Sequence, residues 1–104
     1  MEQSLGIRIA DLEDDLVVAV SAGSLDLAVV KHEGRIHVLS GKCTHEGGAL
    51  GQGYIDGEEL ICPLHAGAFS IDDGTASQNT PWVTDIKAYR TRVDTVTGEI
   101  FVEV

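Results

Sequence analysis

Apolar and polar positions alternate along this chain in short runs, and turn residues separate the runs. Leu5, Ile7 and Ile9 alternate with Gly6, Arg8 and Ala10, the period of a strand buried on one face. Residues 11–15 are acidic and read as one helical turn or a loop. Residues 16–20 and 25–31 are rich in Val and Leu, with Ala22-Gly23-Ser24 between them as a turn. His32-Glu33-Gly34 turns the chain into residues 35–39, so 25–39 reads as a hairpin. A second, smaller hairpin is expected from Tyr54-Ile55 and Leu60-Ile61, with Asp56-Gly57 as its turn. Residues 68–71 form a short strand closed by Asp73-Gly74, and 77–81 a polar loop. Residues 86–93 and 99–104 read as two strong strands joined across 94–98. No long helical period, repeat or low-complexity tract interrupts this. Short strands with turns every few residues predict an all-β antiparallel sandwich or barrel.

The stretch between those two groups of strands carries the chemistry. Both cysteines and two of the four histidines fall in it, as Cys43-x-His45 and Cys62-x-x-His65. Sixteen residues separate the two pairs. Thiolate sulfur and neutral imidazole suit zinc, copper and iron–sulfur centres, so a metal site is the first hypothesis. A structural zinc module usually groups its ligands as a cysteine pair followed by a histidine pair. Here each loop offers one sulfur and one nitrogen, and a single residue, Thr44, separates the first two. Those ligands crowd one tetrahedral ion but suit two neighbouring metals, each loop giving its cysteine to one and its histidine to the other.

C-T-H, the sixteen-residue gap and C-P-L-H resemble the signature of Rieske [2Fe–2S] proteins. The resemblance covers the chain in length and strand order and is most specific over residues 43–76. It implies the Rieske fold: one domain over 1–104, with a cluster-binding subdomain at about 41–81 on a base of about 1–40 and 82–104. It implies one [2Fe–2S] cluster, with Cys43 and Cys62 on the inner iron and His45 and His65 on the outer. Two thiolates cancel a diferric core charge of about +2, where four would leave about −2, so the potential is raised.

The respiratory members of the family have an extra cysteine in each loop. Leu64 stands at that place in the second loop, and the first loop has no second cysteine. Those members also have a serine and a tyrosine donating hydrogen bonds near the cluster, where Gly67 and Phe69 stand here. Fewer donors imply a potential toward the low end of the family. The chain is therefore most similar to the Rieske ferredoxins of bacterial aromatic-ring dioxygenase systems. That resemblance implies a one-electron carrier, not an enzyme, between an NAD(P)H-dependent flavoprotein reductase and a terminal oxygenase. Two alternatives stand beside it: a Rieske-like small subunit of an enzyme such as nitrite reductase, and a zinc-binding interaction module.

Charge and composition narrow the partners. The formal net charge is −10, which argues against nucleic acid and anionic membranes and favours partners with basic patches. No apolar stretch reaches the ~18 to 20 residues of a membrane span. The N-terminal residues lack a basic flank and apolar core, so a cytoplasmic monomer with reduced thiols is expected. No G-x-G-x-x-G fingerprint is present. Among the other residues, His32 and His37 are expected to be solvated beside their hairpin turn. Pro63 is expected to stiffen its loop. Gly48 and Gly67 are either ordinary turn glycines or places where backbone N–H groups approach the bridging sulfides. Pro81-Trp82 resembles the loop that covers the cluster, with Trp82 expected in or beside the core. Glu46 is read as solvated surface.

Overall fold

The structure is a computed structural model that describes residues 1–44 and 47–104. Ten strands run through the described residues: β1 (Glu2–Arg8), β2 (Val17–Ala22), β3 (Leu25–His32), β4 (Arg35–Ser40), β5 (Tyr54–Asp56), β6 (Glu59–Ile61), β7 (Ala68–Ser70), β8 (Ala88–Tyr89), β9 (Thr91–Val93) and β10 (Glu99–Glu103). They make three sheets, ordered β1-β10-β9, β2-β3-β4-β8 and β5-β6-β7, and every paired ladder is antiparallel. The fold is nearly all-β, as the alternation predicts.

The four-stranded sheet lies between two cores. Leu27, Ala28, Val29 and Val30 of β3 are all buried. Leu27 and Val29 face a core shared with Leu5, Ile100 and Val102 of the first sheet. Ala28 and Val30 face a second core with Leu50, Leu60, Phe69 and both cysteines. A strand covered on both faces reads as an unbroken apolar run, which explains the missing polar positions in β3. The meander β2-β3-β4 turns twice through two-residue loops. Gly23-Ser24 lies between the pair Ala22 and Leu25, and Glu33-Gly34 between His32 and Arg35.

Three boundaries differ from the sequence expectation. The alternation of Leu5, Ile7 and Ile9 does not continue to Ile9 as strand. The β1–β10 register shifts between Ser4 and Arg8, and Ile9–Asp11 is a 3-10 turn. Asp11 holds that turn by accepting a hydrogen bond from the Arg8 N–H at 3.0 Å. The loop of the small hairpin is Gly57-Glu58, one residue later than expected, between the paired Asp56 and Glu59. The run 86–93 is two strands. β8 pairs with β4 and β9 with β10, so the chain changes sheet at Arg90. Such a corner changes hydrogen-bond partners while the backbone stays extended, so it leaves no mark on the apolar pattern.

Candidate metal centre

Two loops of the same construction bring the cysteines together. In the first, Lys42 and Ala49 form an antiparallel bridge, and the Cys43 N–H donates to the Gly48 carbonyl at 2.8 Å. In the second, Ile61 pairs with Ala68, and the Cys62 N–H donates to the Gly67 carbonyl at 2.8 Å. Each loop is thus a six-residue tip running from cysteine to glycine. Strand β4 feeds the first tip and β6 the second.

Cys43 and Cys62 are both buried, 3 % and 1 % exposed. Burial pushes the Cys62 thiol above its ordinary range. The Leu64 N–H, 3.4 Å from the Cys62 sulfur, works against that rise, and the neighbouring Cys43 sulfur adds to it. A thiol that resists ionisation, as Cys62 does, is a poor nucleophile. A coordinated cation would deprotonate it outright. His65, three residues further along the same loop, is exposed. It and Ala66 both adopt left-handed backbone angles, φ 65° and 55°. Consecutive non-glycine residues in that region carry a cost of order 1–3 kcal/mol each, and such strain clusters at ligand sites.

The glycines closing the loops have no room for a side chain. A Cβ on Gly48 would lie 2.6 Å from the Cys62 sulfur. A Cβ on Gly67 would lie 2.6 Å from Val83 Cγ1 and 3.7 Å from the Cys43 sulfur. Of the two readings left open for these glycines, simple turn geometry is insufficient, because both backbones press against the cysteine sulfurs or Val83.

A third segment locks the first loop. Thr44 Oγ1 donates to the Thr84 carbonyl at 2.8 Å and accepts from the Thr84 N–H at 2.9 Å. Thr80 is buried, and its hydroxyl accepts from the Ala68 N–H at 3.3 Å. The segment from Thr80 to Thr84 therefore bridges both loops, with buried Val83 against Gly67. Trp82 on this segment is 45 % exposed, beside the core and not within it. Val83 takes the buried place against Gly67, and Trp82 stays about half exposed.

The structure brings Cys43 and Cys62 together and places His65 on the adjoining loop surface. His45, the fourth expected ligand, and Glu46 lie outside the described residues. His32 and His37 are not solvated. Both side chains are largely covered, with Asp15 beside His32 and Asp72 near His37. The hydrogen bond to Asp15 raises the pKa of His32, and burial lowers that of His37. Sequence periodicity had no means of finding Asp15 and Asp72, which reach the hairpin from other parts of the chain.

The family model for the Rieske [2Fe-2S] domain matches residues 5–90. The chain belongs to the Rieske [2Fe–2S] family. Its donor set fits the family's cofactor: two buried neighbouring sulfurs and an exposed imidazole, in loops whose glycines leave space only for backbone. Relatives of this Rieske protein carry specific names. The ferredoxin component of the naphthalene 1,2-dioxygenase/salicylate 5-hydroxylase systems of Ralstonia sp. is 33 % identical over 84 residues, 81 % of this chain and 80 % of the relative. The Sphingomonas yanoikuyae B1 ferredoxin superposes with a TM-score of 0.87 at 30 % identity, covering 100 % of this chain and 99 % of the other. A chain from the complex of reduced oxygenase and oxidized ferredoxin in carbazole 1,9a-dioxygenase has a TM-score of 0.85 at 24 % identity, covering 97 % and 91 %. No helix among the described residues is long and apolar enough to cross a membrane.

Proposed function

We propose that this Rieske protein is a cytoplasmic, monomeric one-electron carrier. It takes electrons from an NAD(P)H-dependent flavoprotein reductase and delivers them to the terminal oxygenase of a ring-hydroxylating dioxygenase system. The observation that carries the reading is the pair of matching loop tips, with sulfurs turned into the core and His65 at the surface. Residues 41–81 form the cluster-bearing subdomain, and 1–40 with 82–104 its base. Cys43 and Cys62 hold the inner side of the cofactor, and His45 and His65 the outer. Bound there, a [2Fe–2S] cluster supplies reversible uptake of a single electron.

The chain's own residues supply protection and approach. Phe69, Leu50 and Leu60 are fully buried beneath the cysteines and keep water from that side. Leu64, 40 % exposed, adjoins His65, and Trp82 adjoins Val83 beside Gly67. Two apolar side chains beside the ligand loops suit a small, transient docking face. The net charge of −10 would steer basic partners to the protein and make association salt-sensitive. Relatives named as ferredoxin components of dioxygenase systems favour this carrier over a fixed nitrite reductase subunit or a zinc module.

Reductive titration tests the reading. The red-brown protein is expected to take up one electron per chain, and NADH with a flavoprotein reductase to bleach it. Adding oxidised terminal oxygenase is expected to restore the colour. Gly67 and Phe69 offer no side-chain hydroxyl, so the midpoint is expected toward the low end of the ~−150 to +300 mV range. A midpoint above about +100 mV, well inside that range, would contradict the low-potential assignment. Colourless protein with one zinc would contradict the carrier itself.

A further inference from the structure

The turns of two hairpins meet at a cluster of ligating side chains that the electron-carrier reading does not use. His32 is the last residue of β3 and Glu33 the first of the turn to β4, while Glu58 is the second residue of the β5–β6 turn. One ligand atom from each of the three lies within 4.8 Å of the other two. The His32 side chain is 13 % exposed. Its Nδ1 lies 2.5 Å from Asp15 Oδ1. Its Nε2 is buried and has no hydrogen-bond partner among the described residues.

A histidine that binds a metal through one nitrogen almost always gives its other N–H to a carboxylate, which fixes the tautomer and aims the ring. Asp15 occupies that place on His32. A protonated His32 would satisfy Asp15 too, with its Nε2–H then needing one nearby glutamate to swing in as acceptor. A cation on Nε2 would instead engage both glutamates at once. We propose that His32, Glu33 and Glu58 form a binding site for a divalent transition-metal ion of the zinc class, with Asp15 positioning His32.

The donor set, one imidazole and two carboxylates, suits such an ion. Ligand atoms at about 2.0–2.2 Å from one tetrahedral zinc stand about 3.4 Å apart. Both glutamates are exposed, so their side chains can close that gap. The surrounding charge favours a cation. The concavity is lined by His32, Glu33, Arg35, His37, Glu58 and Asp72. With Asp15 included, four carboxylates (Asp15, Glu33, Glu58, Asp72) stand against the one guanidinium of Arg35.

The position gives the site a structural role. β4 runs from the Glu33-Gly34 turn toward Cys43, and β6 from Glu58 toward Cys62. The ion would tie together the distal ends of the two strands that carry the cysteine loops, fastening the small cluster-bearing sheet to the base. Small domains gain from such a tie.

The holoprotein is treated with a chelating resin, dialysed against buffered zinc, and analysed for zinc and iron together. The expected result is one zinc per chain beside two irons, with a melting temperature that rises with free zinc. Glu33→Gln and Glu58→Gln, both on exposed turn residues, are expected to weaken zinc binding at least tenfold with iron content and visible spectrum unchanged. Asp15→Asn is expected to weaken it about 10- to 100-fold, the usual cost of removing an orienting partner. No zinc above the buffer control would overturn the proposal. So would zinc retained equally by a Glu33→Gln/Glu58→Gln double variant with two irons. The iron count reports separately on the cysteine loops, so failure here leaves the electron-carrier reading untouched.

Discussion

Cys62→Ala is expected to give a protein that has lost its red-brown colour and nearly all its iron. Cys62 is 1 % exposed and sits in the core with Leu60, Phe69 and Cys43. Removing its sulfur deletes one of the four proposed cluster ligands. The stability effect is larger than the lost packing. Metal binding in a small domain is folding free energy, of order 10 kcal/mol for structural zinc, so losing even a third of that is severe. At roughly 4 °C or more per kcal/mol for a domain of about this size, the melting temperature falls by more than about 10 °C. Iron analysis and thermal unfolding followed by circular dichroism check both parts. A Cys62→Ala protein with two irons and the wild-type visible spectrum would remove this residue from the ligand set.

Gly48→Ala is expected to impair cluster assembly although it touches no ligand covalently. The added methyl would stand 2.6 Å from the Cys62 sulfur, 3.2 Å from Leu64 Cβ and 3.6 Å from Cys43 Cβ. Carbon and sulfur do not approach so closely without displacement, and that sulfur is the atom that must keep its place. Overpacking of this kind costs about 1–3 kcal/mol where neighbours can yield. Here the yielding neighbour is a proposed cluster ligand, so iron occupancy should fall below about half while the strands persist. Gly23→Ala serves as the control. Gly23 has φ 62° and nothing within 4 Å of an added Cβ. It should cost only the ~1–2 kcal/mol of a left-handed alanine and leave the iron in place. Equal iron content in Gly48→Ala and wild type would show that the second loop is not packed against the first as described.

Local patterns made much of this protein legible in advance. The β3–β4 and β5–β6 hairpins follow from alternation and glycine turns, and the C-x-H and C-x-x-H spacing marks the two loops whose cysteines the fold brings together. What stayed hidden depends on partners distant in sequence. The corner at Arg90 changes which strands β8 and β9 pair with but not the apolar pattern of residues 86–93. Gly6, with φ 73° in the stretch where the β1 register shifts, disturbs a strand whose alternation looks intact. The covering of His32 by Asp15 and the neighbourhood of Glu58 join residues 17 and 26 positions apart in sequence. Trp82 was expected in or beside the core, and the pattern alone does not choose between the two. The Thr44–Thr84 clamp and the inward turn of Val83 leave it outside. Gly48 was visible as a glycine, but its role depends on a sulfur that only the folded second loop delivers.

The most direct test of the central claim is a crystal structure of the purified protein with anomalous differences measured across the iron edge. The account predicts two iron peaks between the loops, one bonded to the sulfurs of Cys43 and Cys62 and the other to the imidazoles of His45 and His65. A single metal ion, an empty pocket, or irons ligated by any other set of residues would contradict it.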